Sequence, residues 1–143
     1  QVVWGAFVAG LKAGFMYNTF PLMAGGILPP QMLDYEPVLR NFVANPATVQ
    51  WMHRLLGTLL LAAVVVFTTR VLRADVDTLT RRLAIGLLSL TCVQYLLGVL
   101  TLLLTVPVSL GVTHQAMAMI MFGNWVVMGE HFSSGGSVGR RKL

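Results

Sequence analysis

The sequence predicts an all-α integral membrane bundle of four helices, the first of them shorter than a full span. Three observations predict it. Of 143 residues, 56% are hydrophobic and only 10% charged, with a mean hydropathy of +0.75, whereas a soluble domain carries about 25% charged residues. Three apolar runs, Thr48–Thr69, Leu83–Leu104 and Val108–Gly129, each reach the roughly 20 residues that a helix needs to cross a bilayer. The basic residues fall mainly in short loops and at the C-terminus, so the net charge of +5 reads as a signal of orientation in the membrane. No basic run is interleaved with aromatic residues, which argues against nucleic acid as a partner.

The elements follow in order. Gln1–Leu11 is apolar and rich in small residues, but about half a span long. It lacks the charged start and cleavage site of a signal peptide, and is expected to be part of a transmembrane helix cut short. Lys12–Asn45 is dense in proline and glycine, which break regular structure, yet it keeps Phe15, Met16, Phe20, Leu22, Met23, Ile27 and Leu28. It is expected to lie on the membrane surface as a lid, with a short amphipathic helix over Met32–Phe42.

Asn45 is a good N-cap and Pro46 suits a first helical turn, so the first complete span opens there. Arg70–Arg82 reads as a polar hairpin loop. The second span, Leu83–Leu104, carries Gly86, Ser89, Thr91 and Gly98, small residues of the kind that let membrane helices approach. Thr105-Val106-Pro107 is a tight turn before the third span. The bundle is expected over residues 1–130, and a disordered basic tail over 131–143. The hairpin and the tail hold seven of the ten Lys and Arg residues, which places them on the cytoplasmic or matrix side and the long loop outside.

The chemistry centres on His53 and His114. Each lies about one turn inside the outer end of its span, so the two share a depth on different helices. Ionisable groups in a span are costly and mark function by default. Two imidazoles so placed can ligate a haem iron from both faces, and bundles build cofactor sites from inward side chains. Gly57 lies one turn from His53, and Ala118 one turn from His114, and both leave room for a flat porphyrin. Arg54 suits a haem propionate, and Gln50 and Gln115 suit hydrogen bonds to the ligands.

The competing reading is that the histidines only pack helices, with Arg54 reaching to the interface. Zinc is disfavoured because no carboxylate or thiolate lies near either histidine. His131, beside Glu130, reads as a solvated interfacial residue. Met117, Met119 and Met121 read as apolar filler, and Cys92 as a small buried side chain with no partner for a disulfide.

Nearly the whole chain up to Gly129 resembles the C-terminal half of the haem A synthase family. The resemblance is carried by Gly5-Ala6-Phe7-Val8-Ala9-Gly10-Leu11, Ala13-Gly14 and Tyr17-Asn18-Thr19-Phe20-Pro21-Leu22-Met23. It continues through Arg40-Asn41-Phe42, Asn45-Pro46-Ala47-Thr48-Val49-Gln50, His53-Arg54 and His114-Gln115. It implies eight helices in two four-helix halves, each with a histidine pair on the outer side. The implied activity is oxidation of a methyl group of haem O to the formyl group of haem A, for cytochrome c oxidase. The substrate haem O belongs to the N-terminal half, with a glutamate three residues before its first histidine. The C-terminal half holds an electron-transferring haem b, whose iron would be ligated by His53 and His114.

Here the position three before His53 is Gln50, a departure that fits the cofactor half, with no catalytic residue of its own. The cysteine pairs of some members' outer loops are absent. The short first run agrees with a cut inside the fifth helix of the family, so the fragment alone is expected to be inactive. Implied partners are the lipid bilayer, the missing N-terminal half, an electron donor and haem O synthase, with homo-oligomerisation left open. The implied location is the bacterial inner membrane or, alternatively, the mitochondrial inner membrane. Two other functions compete: a cytochrome-b-like membrane electron carrier, and a non-enzymatic membrane assembly or transport subunit.

Overall fold

A computed structural model describes residues 1–133. Its helices are α1 (Val2–Gly10), α2 (Asn41–Ala44), α3 (Pro46–Arg73), α4 (Thr78–Leu103) and α5 (Val108–Ser133), and no strand occurs among the described residues. Helix α4 packs on both α3 and α5, and α1 leans on α3.

Helices α3 and α4 have 28 and 26 residues, roughly 42 and 39 Å at 1.5 Å per residue, and exceed the hydrocarbon core of about 30 Å. Among the described residues, these two are long and apolar enough to cross a membrane. Helix α5 has the length, at 26 residues, but falls short in mean apolarity, unlike the third span expected from the sequence. The reason is where its polar groups point. His114 and Asn124 turn inward against Gly98 and Gly86 of α4, while Val112, Met119, Ile120, Phe122, Val126 and Val127 face outward. Averaging along the helix counts the inward groups against it.

The outward faces are those of a protein solvated by lipid. Leu59, Val65, Val66 and Leu72 of α3, and Ile85, Val93, Leu96 and Leu100 of α4, are all exposed, which is far more apolar surface than a soluble monomer leaves bare. Cys92 lies on this outer face, not in the interior as expected. Inside, Val64, Leu87 and Met128 interlock, ringed by Leu60, Phe67, Leu83, Leu88 and Met121.

The hairpin is tighter than the sequence predicts. Helix α3 runs to Arg73 and α4 starts at Thr78, so only Ala74–Asp77 are non-helical. Long charged side chains reach water from a helical backbone, so their composition marks the membrane boundary and not the end of a helix. Asp77 caps α4, accepting from the Thr80 amide at 2.9 Å and the Thr80 hydroxyl at 2.6 Å. The Arg81 guanidinium donates to the Ala74 carbonyl at 2.9 Å, beside the carbonyls that α3 leaves open at its end.

Helix α5 also passes its predicted end at Gly129 and carries His131 within it. His131 is not the solvated residue expected: its Nε2 lies 3.2 Å from Asp77 Oδ2 and 3.1 Å from Thr80 Oγ1. The tail beyond Ser133 lies outside the described residues.

The segment between α1 and α3 is pinned by amides. The helix expected over Met32–Phe42 forms only at its end, as a 3-10 turn at Val38–Arg40 followed by α2. Asn41, fully buried, accepts from the Tyr35 amide at 2.9 Å and donates to the Tyr35 and Val38 carbonyls at 2.7 and 2.9 Å. These bonds hold a turn across Pro37 that a continuous helix would have to open. Asn45 caps α3 as expected, through the Ala47 and Thr48 amides, and its own amide donates to the Gln31 carbonyl at 2.9 Å. Asn18 donates to the Leu102 carbonyl at the end of α4, at 2.8 Å. Polar side chains thus point inward to hold the backbone, while Ile27 and Leu39, more than three-quarters exposed, point out.

Candidate functional site

Beneath this lid the helices leave a cavity of about 170 Å³, bordered by α1, α3, α4 and α5. His53 and Arg54 enter it from α3, two turns below the Asn45 cap. His114 enters from α5, two turns into that helix. The rings of His53 and His114 stand with centroids 6.5 Å apart and planes at 79°. The structure therefore brings together the two imidazoles that their shared depth predicted.

Each imidazole rests on a glycine of a neighbouring helix. A Cβ at Gly5 of α1 would stand 3.3 Å from His53 Cε1, and one at Gly98 of α4 only 2.9 Å from His114 Cε1. These are the clearances next to the rings. Gly57 lines the cavity as expected, although the Gln1 amide sits over it, 3.1 Å from where a Cβ would be. Ala118 does not line the cavity.

Gln50 and Arg54 face the cavity and at the same time grip the lid. Gln50 Nε2 donates to the Tyr17 carbonyl at 2.9 Å, and Arg54 donates to the carbonyls of Tyr17 and Thr19 at 2.7 and 2.8 Å. Gln115 is exposed and away from the cavity, because the residue after an inward His114 is turned about 100° around the helix. The amide beside His114 is instead Gln94 of α4, with 3.4 Å between Gln94 Nε2 and His114 Nε2. Tyr95 also lines the cavity and shares a hydrogen bond of 2.9 Å with Thr58. Neither was singled out from the sequence, though a glutamine inside the apolar run of α4 was a signal of the kind that flags functional positions.

Do these residues fit a haem? The 6.5 Å between the ring centroids is wide enough to take an ion bonded to a nitrogen of each ring at about 2.1 Å. Among the described residues, seven buried side-chain nitrogen or oxygen atoms have no partner, and five of them line this cavity: Gln50 Oε1, His53 Nδ1, Arg54 Nε, Gln94 Oε1 and His114 Nδ1. Buried polar atoms are nearly always paired, so this concentration makes the cavity the candidate site for a polar ligand. Arg54 has no carboxylate partner among the described residues, and three of its five N–H groups remain for an acid group. No cluster of three or more His, Cys, Asp or Glu placed to hold a metal ion occurs among the described residues.

Comparison with known proteins places the chain. The family model for cytochrome oxidase assembly protein (COX15-CtaA) matches residues 1–126. The chain belongs to that family. Among its curated relatives, proteins named heme A synthase from Wolbachia pipientis wMel and from Chelativorans sp. (strain BNC1) are 43% and 42% identical over 124 and 123 residues, covering 87% and 86% of this chain. One of the same name from Rhizobium rhizogenes (strain K84 / ATCC BAA-868) is 45% identical over 129 residues, or 87% of this chain. The match covers only 33%, 34% and 35% of those relatives, so the chain spans about a third of their length. No solved structure matches it.

Proposed function

We propose that this chain is the haem b-binding half of a haem A synthase, with His53 and His114 as the two axial ligands of the haem iron. The observation that carries the reading is the pair of imidazoles 6.5 Å apart across one cavity, each with a buried nitrogen that has no partner. The names of the relatives support the wider assignment. For the whole protein the reaction is oxidation of the haem O methyl group to the formyl group of haem A, in the bacterial inner membrane. An electron donor and haem O synthase are its expected partners.

A haem bound between the two histidines supplies one-electron transfer. The chain's own residues do the rest. His53 and His114, seated on Gly5 and Gly98, are the residues that would hold the haem iron. Gln50 stands where the resemblance expects a carboxylate in the other half. Its amide neither takes nor gives up a proton near neutral pH, which suits electron relay and not substrate oxidation. Arg54 would offer its remaining N–H groups to a propionate, while two others hold the carbonyls of Tyr17 and Thr19.

The test is the optical spectrum and haem content of the full-length protein carrying His114→Ala. Loss of an axial ligand should leave the C-terminal haem high-spin or absent. A low-spin bis-imidazole spectrum at full C-terminal occupancy would overturn the assignment.

A further inference from the structure

We infer that Gln94 and Gly98 of α4 form a seat that fixes the rotation of the His114 ring before any iron arrives, which makes both of them positioning residues for that ligand. The inference rests on the haem reading above for its purpose, but its geometry belongs to the chain alone. His114 has no partner for its ring on its own helix, since Gln115 points away and is exposed. Two contacts to the ring come from α4. The Gln94 amide stands 3.4 Å from Nε2. One turn further along the same face, Gly98 lets the ring lie against the backbone, where a Cβ would come within 2.9 Å of Cε1. Such a distance is closer than non-bonded carbon atoms approach at their optimum of about 3.5 Å or more.

These two contacts define a rotation. The missing Cβ at Gly98 sets how near the ring comes to α4, and the amide sets which edge it presents. Neutral imidazole carries one N–H and one lone pair, and the hydrogen bond at one nitrogen decides the state of the other. An amide can offer either its N–H or its carbonyl by turning over, so Gln94 can hold either tautomer, but it holds the ring at Nε2. The leftover atoms are telling: Gln94 Oε1 and His114 Nδ1 are both buried without a partner. In a self-sufficient bundle such a pair would be mutually satisfied or replaced by apolar groups. A ligand already held in its binding rotation avoids part of the ordering cost of binding, and residues that orient a metal ligand are typically worth about 10–100-fold in affinity.

The experiment uses the full-length protein. Gln94→Met keeps side-chain volume without the hydrogen bond, Gln94→Glu keeps a hydrogen-bonding oxygen at the same reach, and Gly98→Ala adds the Cβ. Two readouts are taken: haem titration of the depleted protein, and ¹⁵N imidazole shifts of His114 without haem, which report tautomer and hydrogen bonding.

Gln94→Met should weaken haem binding about tenfold or more and shift the His114 signals, with Gln94→Glu restoring much of both. Gly98→Ala should lower haem affinity while helix content stays unchanged. If Gln94→Met leaves both the ¹⁵N shifts and the affinity at wild-type values, the seat is wrong, whatever His114 does. If instead His114→Ala keeps a low-spin C-terminal haem, the ligand reading fails first. A change in the ¹⁵N shifts of Gln94→Met would still uphold the contact.

Discussion

The two ends of the bundle solve the same problem in opposite ways. At the hairpin end, polar groups pair with one another: Thr68 donates to the Ala84 carbonyl at 3.2 Å, and Asp77, Thr80 and His131 form one hydrogen-bonded cluster. Between that cluster and the bundle's middle lies the apolar contact of Val64, Leu87 and Met128. At the lid end, Gln50, His53, Arg54, Gln94 and His114 converge on a cavity, and each keeps one buried atom without a partner. Among the described residues, one buried side-chain atom in the hairpin half, Asn124 Oδ1 beside Gly86, lacks a partner, against five around the cavity. The lid end leaves polar atoms open toward the cavity, as the proposed haem site requires. Unpaired polar atoms inside a membrane protein are expensive, so their concentration around the cavity makes that end the candidate functional one.

The strongest way to break this comparison is to remove a ligand. His53→Ala should leave the C-terminal haem of the full-length protein high-spin or lost, while His131→Ala, at the paired end, should leave spectrum and haem content unchanged. Equal damage from the two substitutions, read by the reduced α-band and by haem content, would mean that the ends do not differ in kind. Arg54→Met should come next. It removes both the lid grip and the proposed propionate partner, so haem should dissociate faster with its spin state intact. A switch to high-spin iron in that variant would place Arg54 nearer the metal than its bonds to Tyr17 and Thr19 suggest.

A substitution in the apolar contact should show the converse. Leu87 is 2% exposed, and shortening it to Ala opens a void. In lipid the cost is lost packing more than transfer from water, so about 1–2 kcal/mol is expected, below the soluble range of 2–5. Thermal unfolding should shift while the haem spectrum and affinity hold. A spectrum that changes with Leu87→Ala would show that the two ends are coupled through the core.

How much of this was legible in the sequence depends on whether one helix suffices to state it. The first two complete spans were legible, because about twenty mostly apolar residues in a row have few other uses. So was the Asn45 cap, because its amide-to-backbone bonds lie within three residues. The meeting of His53 and His114 followed from hairpin lengths alone. What was misread needed a neighbour. Gln115 was taken as the partner of His114 because it is adjacent in sequence, but adjacency on a helix means facing elsewhere. The true neighbour, Gln94, sits on another helix at a register that packing decides. The Met32–Phe42 helix failed for a similar reason: Asn41 reaches back to Tyr35 and makes a turn that competes with helix. His131 looked solvated because its carboxylate partner is 54 residues away.

The smallest effect concerns that last cluster and is a matter of pH. The Thr80 hydroxyl and amide, with His131 beside them, hold the Asp77 carboxyl well below the usual carboxylate range. A depressed carboxyl contributes stability that is fully present above its unfolded pKa of about 3.9 and disappears as pH falls through the lower folded value. The contribution should therefore be constant from neutral pH down to about 5 and fade only below about 4. Asp77→Asn keeps the size of the side chain and an oxygen able to accept from the Thr80 amide, but removes the charge. The difference in thermal midpoint between wild type and Asp77→Asn should be small, flat across pH 7 to 5, and shrink toward zero in stronger acid. Haem content should not follow it, because the cluster lies at the opposite end from the histidine pair. A difference that already collapses between pH 7 and 5 would mean that the Thr80 hydroxyl and amide do not hold the Asp77 carboxyl low.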